Sequence, residues 1–131
     1  MGSSIVTCLK NNGYENIIMK DRSELDLLDQ KSTKLFFKNE KPDVLICAAA
    51  KVGGIYANQI YPAQFLFENL AIQNNLIHFS HEYGVKVLLF LGSACIYPKY
   101  AEQPIKESSI LSGPLESTNE PYAIAKISGI K

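Results

Sequence analysis

Three features of the amino-acid sequence predict an α/β fold built on a doubly wound, parallel sheet. Two runs, VLICAAA at 44–50 and VKVLLFLGS at 85–93, are almost continuously apolar, which is typical of strands that are buried on both faces. Helical patterns surround these runs, and glycine or proline residues separate the segments. Strands that alternate with helices form parallel sheets with helices on both faces, so we expect this layered arrangement.

The same reading assigns the elements in chain order. Helices are predicted at four places: residues 3–11, 30–40, 62–83 and from Pro121 onward. Besides the two long runs, short strands are predicted at 16–19 (NIIM) and 25–28. Gly84 is expected to end the long helix, because glycine readily adopts a left-handed backbone. Residues 97–120 carry three of the six prolines and are predicted to be a loop.

Helical periodicity predicts which side chains are buried. The expected inward residues are Ile5, Val6 and Leu9 in the first helix, Leu35 and Phe36 in the second, and Phe65, Leu66, Leu70 and Ile77 in the long one. The two histidines, His78 and His81, are expected on the surface of that long helix.

Composition excludes several classes of function. The 131 residues include 13 basic and 13 acidic side chains, which argues against a nucleic-acid partner or a polybasic membrane contact. No apolar run approaches the roughly 18 residues of a transmembrane helix. Three scattered cysteines suggest neither a disulfide framework nor a zinc site. We therefore expect a reduced, cytoplasmic protein without a bound metal.

A tyrosine and a lysine in NEPYAIAKISG (119–129) are candidates for acid–base chemistry. Pro121 suits the first turn of a helix, so Tyr122 and Lys126 should lie one above the other on a single face. A neighbouring ammonium favours the phenolate and lowers the pKa of a tyrosine from its usual value near 10. The plain alternative is an ordinary amphipathic helix, since the pair alone is weak evidence.

Other candidates lie where the predicted strands end, which is where ligands of parallel sheets bind. Ser93 and Cys95 follow one strand in GSACIYP, where a hydroxyl could polarise a carbonyl oxygen, although serine is also common in turns. Ala48-Ala49-Ala50 follows the other strand and allows either a flat ligand or tight packing. Gly53-Gly54 is expected to form a turn. Arg22 could bind a phosphate or could simply be a surface side chain.

Taken together, these residues resemble the extended short-chain dehydrogenase/reductases. A strand, a serine, a long loop and then Tyr-x3-Lys form the pattern of that family. Three longer strings, AAAKVGGI (48–55), FLGSACIYPK (90–99) and NEPYAIAKISGIK (119–131), are similar to a narrower group. That group consists of bifunctional epimerase–reductases that use NADPH to convert GDP-4-keto-6-deoxy-D-mannose into GDP-L-fucose. RSELDLLD (22–29) fits it as well.

The resemblance implies a Rossmann-like domain and roles for the matching catalytic residues. Tyr122 would give a proton to the C4 ketone during reduction by NADPH, and Ser93 would polarise the carbonyl. Lys126 would lower the pKa of the tyrosine and bind the nicotinamide ribose. Cys95 would be a base in epimerisation at C3 and C5, which needs an activated thiolate.

The resemblance also implies a set of cofactor contacts. Arg22 would meet the 2′-phosphate of NADP(H), Asp26 and Leu27 would flank the adenine, and Ala49 would lie against the cofactor. The expected partners are a nucleotide-sugar substrate and a second copy in a homodimer, without nucleic acid or membrane.

The family pattern departs from this chain at both ends. The family begins with a strand and a G-x-x-G-x-x-G turn, and here only Gly2 matches its last glycine. The family's catalytic histidine and substrate domain would lie beyond Lys131. We therefore expect residues 1–131 to be part of an NAD(P)-binding domain from a longer protein, and the piece alone to be inactive.

Two alternatives remain open. Another NAD(P)-dependent nucleotide-sugar epimerase or dehydratase would share the serine and Tyr-x3-Lys, whereas Cys95 and AAAKVGG belong to the narrower pattern. A non-catalytic Rossmann-like binding module would not need Ser93, Tyr122 and Lys126 together.

Overall fold

Five helices and two parallel strands make up the fold. The computed structural model describes residues 1–131. In chain order the elements are α1 (Gly2–Asn11), α2 (Gln30–Glu40), β1 (Val44–Cys47), α3 (Ile55–Ile60), α4 (Pro62–Glu82), β2 (Val87–Phe90) and α5 (Glu120–Ile130). Short 3-10 turns at Ala94–Ile96 and Glu107–Ser109 interrupt the loop before α5. None of the helices is both long and apolar enough to cross a membrane.

Local signals in the sequence explain where the helices begin and end. The Asp29 side chain accepts a hydrogen bond from the backbone N–H of Lys31 and so caps α2. Pro62 starts α4, where its missing N–H is no loss. Gly84 follows α4 with φ of +73°, a left-handed conformation that favours glycine. The four helices predicted from the sequence are confirmed to within about one residue at either end.

The core lies between one face of the strand pair and helices α2 and α4. The strands run parallel, with Val44 beside Val87 and Cys47 beside Phe90. Phe37 of α2, Cys47 of β1 and Phe79 of α4 pack together and are almost fully buried. Burial of each large apolar side chain contributes roughly 1.5–3 kcal/mol, so this cluster fixes the helices against the strands.

Polar side chains of α4 attach three other segments to this core. Asn69 exchanges hydrogen bonds with the backbone of Lys51, accepting from its N–H and donating to its C=O, both at 3.0 Å. Gln73 donates to the carbonyl of Ala125 in α5 at 2.7 Å. Asn75 donates to the carbonyl of Leu27 at 2.8 Å. All three amides of α4 are buried, so their bonds are shielded from competing water.

The two short strands predicted at 16–19 and 25–28 are wrong. Residues 16–19 are irregular, with Met19 exposed, and no strand lies beside them to complete a hydrogen-bond ladder. Residues 25–28 form turns in which Asp26 accepts from the backbone N–H of Leu28. Aspartate commonly competes with a strand in this way, by bonding to its own backbone two residues on.

The predicted burial is only partly confirmed. In α2 the buried residues are Thr33 and Phe37, whereas Leu35 is 56% exposed and Phe36 is half-buried. The sheet is covered on one face only, because α2 and α4 pack on the same side of it. Val87, which alternation places on the opposite face, is 54% exposed. The expectation that both faces are covered is therefore not met within residues 1–131.

Gly129 is predicted to be essential for the packing of α5. A Cβ atom at this position would lie 2.6 Å from Cζ of Phe90 and 2.8 Å from Oε1 of Gln73. Gly129→Ala should lower the free energy of unfolding of the full-length protein by about 1–3 kcal/mol, because the core must shift to accept the methyl group. Urea denaturation measures this loss. Gly113→Ala is the matched control, since its Cβ would meet Pro98 at an ordinary 3.4 Å; equal stability of both variants would contradict the packing account.

Candidate functional site

A cavity lies beyond the carboxyl end of β2, where three of the predicted catalytic residues meet. Its volume is about 230 Å³. The lining residues are Val52, Gly53, Asn58, Phe65, Ser93, Cys95, Asn119 and Tyr122. They come from the loop after β1, helices α3 and α4, the turn after β2, and the beginning of α5, so elements that are distant in sequence converge at one edge of the sheet. We call this space the reaction cavity.

The turn after β2 sets the positions of the serine and the cysteine. Ser93 has an extended backbone, and its Oγ accepts a hydrogen bond from the backbone N–H of Cys95 at 3.3 Å. Ser93 therefore caps the short turn that contains Cys95. The cysteine sulfur in turn accepts a hydrogen bond from Nδ2 of Asn119, at 3.2 Å. This contact joins the turn after β2 to the start of α5.

The phenol of Tyr122 is held in its neutral form. Burial in the cavity is the largest influence and raises its pKa above 10.0. The interaction with Ser93 lowers the pKa by less, and negative charge on Cys95 raises it further. A phenol in its neutral form carries the proton that a general acid donates, and the cysteine beside it could act as a base only in its thiolate form.

Lys126 is buried on the same helix but points elsewhere. Its Nζ donates to the carbonyl of Leu91 at 3.0 Å and lies 4.7 Å from the centre of the Phe90 ring. Burial lowers the pKa of this ammonium, and the nearby thiol of Cys47 partly opposes that effect. Lys126 does not line the reaction cavity and is not among the influences on the pKa of Tyr122, so the predicted lowering of that pKa is not met here: burial raises it instead.

A second, larger cavity of about 420 Å³ lies beside the first, beyond the carboxyl end of β1. Its lining is Lys20, Asp21, Arg22, Leu25, Asp26, Leu27, Leu28, Ala48, Ala49, Ala50, Lys51, Val52, Glu68 and Ile72. Four of the predicted cofactor contacts, Arg22, Asp26, Leu27 and Ala49, are thus brought together. Val52 lines both cavities, which shows that the two spaces adjoin.

The loop between the cavities is held rigidly. Besides the two bonds from Asn69 to Lys51, Nδ2 of Asn58 donates to the carbonyls of Gly53 and Gly54 at 3.1 and 3.0 Å. Gly53 has no room for a side chain, since a Cβ would lie 2.9 Å from Cζ of Phe65. The turn predicted at Gly53-Gly54 is wrong: this segment is irregular, close packing restricts Gly53 alone, and Gly54 has open space and is the N-cap of α3.

Arg22 lies at the rim of the larger cavity and is 68% exposed at its side chain. Its guanidinium is 3.8 Å from the carboxylate of Glu68 and 4.0 Å from that of Asp26. Glu68 is also 3.4 Å from the ammonium of Lys51. Such loose, exposed ion pairs contribute little to stability, so the arginine can turn toward an anionic ligand at small cost.

One residue predicted to contact the cofactor lies outside both cavities, and three residues that shape the site were not predicted. Gly2 lines neither cavity, although a Cβ there would lie only 3.8 Å from Cβ of Ala48. Sequence reasoning missed Asn58, Asn69 and Asn119. Only Asn119 gave a signal that could have been read, because asparagine before a Glu-Pro pair is typical of a helix N-cap.

Comparison with known proteins defines the class. The model of the NAD dependent epimerase/dehydratase family matches residues 1–131, and the chain belongs to this family. The two cavities at the carboxyl ends of β1 and β2 agree with that assignment, because proteins with such sheets bind ligands there.

Within the family, the chain is similar to particular enzymes. It is 58% identical to GDP-L-fucose synthase 1 of Arabidopsis thaliana and 53% identical to GDP-L-fucose synthase of Escherichia coli K12, in each case over 131 residues. All of this chain is matched, and it spans 41% of each relative. A solved GDP-mannoheptose C4 reductase from Campylobacter jejuni with NADP bound is 41% identical, with a TM-score of 0.94 over 98% of this chain and 40% of that one.

The phenol of Tyr122 is predicted to titrate above pH 10 in the ligand-free, full-length protein, because burial disfavours the phenolate. Tyrosinate absorbance of the wild type minus that of Tyr122→Phe isolates this group. Since the folded-state pKa is raised, the associated stability is present below pH 10 and is lost as the pH rises through the folded value. In a Cys95→Ser background the midpoint should fall; a midpoint at or below 10 in the wild type would contradict the electrostatic account.

Proposed function

We propose that the full-length protein is an NADPH-dependent epimerase–reductase that converts GDP-4-keto-6-deoxy-D-mannose into GDP-L-fucose. The observation that carries this proposal is the convergence of Ser93, Cys95 and Tyr122 on one cavity at the carboxyl end of β2. A reductase needs a proton donor, and an epimerase needs a base. The names of relatives at 53–58% identity support the same activity. In this proposal residues 1–131 are part of the NADP-binding domain of a cytoplasmic homodimer.

The residues of the larger cavity fit NADP(H). Ala48, Ala49 and Ala50 present small side chains, so a flat adenine or ribose can approach the backbone. Asp26 offers a carboxylate acceptor for hydroxyl or amino groups, and the exposed guanidinium of Arg22 suits a 2′-phosphate. The solved reductase from Campylobacter jejuni has NADP bound, which supports this choice. When bound, NADPH would supply the hydride for reduction.

The chain's own residues account for the first proton transfer of epimerisation and for the proton used in reduction. For epimerisation, a thiolate at Cys95 takes a proton from the carbon next to the ketone, so an S–H bond forms as the C–H bond breaks and its electron pair moves into the carbonyl to give an enolate. A proton donor on the opposite face must then return a proton to that carbon. Ser93 donates a hydrogen bond to that carbonyl oxygen. For reduction, Tyr122 gives its phenolic proton to the ketone oxygen.

One pair of variants tests the proposal. Tyr122→Phe should abolish ketone reduction, at least 100-fold in kcat, while NADPH affinity changes little, because the phenolic proton matters only in the transition state. Cys95→Ser should instead suppress deuterium exchange from solvent next to the ketone, since a serine hydroxyl is a far weaker acid than a thiol and gives little base.

The assay uses full-length protein with GDP-4-keto-6-deoxy-D-mannose, following NADPH absorbance and deuterium incorporation separately. Reduction by Tyr122→Phe at a near-normal rate would remove the tyrosine from its role. Absence of both reactions in the wild type would refute the proposed function.

A further inference from the structure

Asn119 stands at a helix N-cap but does not make the side-chain hydrogen bond that is usual at that position. It is the N-cap residue of α5, yet its side chain makes no capping hydrogen bond to the helix. Its Nδ2 instead donates to Sγ of Cys95 at 3.2 Å, and its Oδ1 is buried with no partner. Asparagine is among the best N-cap residues because its side-chain oxygen accepts a hydrogen bond from a backbone N–H of the first helical turn. Here that contact is absent.

This arrangement costs stability. A lost N-cap hydrogen bond and a buried acceptor without a partner each lower the stability of the fold. A hydrogen bond from an amide N–H to a neutral thiol recovers little of this stability, because sulfur is a poor acceptor when protonated. The same bond to a thiolate is charge-assisted and about twice as strong. Residues that depart from a local structural preference, such as an N-cap residue that does not cap its helix, are typically found at functional sites.

The surroundings of Cys95 agree with an anionic sulfur. The asparagine that contacts it stands at the N-terminus of α5, where the helix dipole favours negative charge. The titratable group that faces it across the reaction cavity is Tyr122, whose phenol is neutral. No carboxylate lines this cavity, and the acidic residue in the first turn of α5, Glu120, is exposed to solvent.

We propose that Asn119 is a positioning residue for Cys95, whose amide N–H orients the sulfur and stabilises its thiolate form. This rests on the proposed function for the use of the thiolate as a base, but the stabilisation itself requires no substrate. In this orientation the amide N–H points at the sulfur, and Oδ1 of Asn119 is left without a partner as a consequence.

Three proteins separate this role from a structural one: the full-length wild type, Asn119→Ala and Asn119→Asp. Aspartate has the same shape and is an equally good N-cap, but its carboxylate would face the sulfur and disfavour the thiolate. Alanine removes the donor without adding charge. The expected order of thermal stability is aspartate at or above wild type, with alanine lowest.

The readout is the rate at which iodoacetamide alkylates Cys95 at neutral pH, located by mass spectrometry. The expected rate falls about tenfold in Asn119→Ala and about 100-fold in Asn119→Asp. The exposed thiol of Cys8 is an internal control and should react equally in all three proteins.

The order of the three alkylation rates distinguishes stabilisation of the thiolate by Asn119 from a purely structural role. If Asn119→Asp reacts as fast as the wild type, or if the rates merely follow thermal stability, the proposal is overturned. Deuterium exchange next to the substrate ketone should fall in the same order as alkylation. Loss of the alkylation order with normal exchange would refute the role of Asn119 alone, whereas the alkylation order without any exchange in the wild type would refute the proposed function alone.

Discussion

The buried amide side chains of α4 are the constraint on which the candidate site depends. Asn69, Gln73 and Asn75 each reach a backbone carbonyl in a different segment: the loop after β1, helix α5, and the turns at 21–28. Apolar packing could hold these segments close, but it would leave their orientation loose, whereas a buried hydrogen bond fixes a carbonyl in one direction. Both cavities are therefore built around a single rigid helix.

This construction separates the proposed cofactor site from the proposed site of proton transfer. The larger cavity offers small side chains and an exposed cation, while the reaction cavity places a neutral phenol beside a cysteine. The loop at 48–54 passes between them and is fixed by Asn69 and Asn58. A ligand that extends through both spaces would meet groups whose positions are already set, and such preorganisation reduces the cost of reaching a transition state.

Sequence reasoning succeeded where one residue type signals one structure. Continuous apolar runs located β1 and β2, and proline and glycine marked the limits of α4 and the start of α5. Strand ends followed by Ser93 and Cys95, together with the Tyr-x3-Lys spacing, located the reaction cavity, because parallel strands bring their carboxyl ends to one edge.

It failed where the outcome depends on distant partners. The apolar segment at 16–19 forms no strand because no neighbour pairs with it, and periodicity cannot detect that. The buried face of α4 carries Asn69 and Gln73, which a hydrophobic pattern assigns to the surface. The Asn119 side chain points to a sulfur 24 residues away in sequence, and its position before α5 does not reveal that contact.

The most direct test of the central claim is a titration of NADPH into full-length Asn69→Leu, compared with Asn74→Leu on the exposed face of the same helix. Asn69 lines neither cavity, so its removal acts through the backbone groups that it contacts, those of Lys51 and the carbonyl of Phe65. The account predicts affinity at least tenfold weaker for Asn69→Leu, faster hydrogen exchange in residues 48–54, and no change for Asn74→Leu. Equal affinities and equal exchange in the two variants would contradict it.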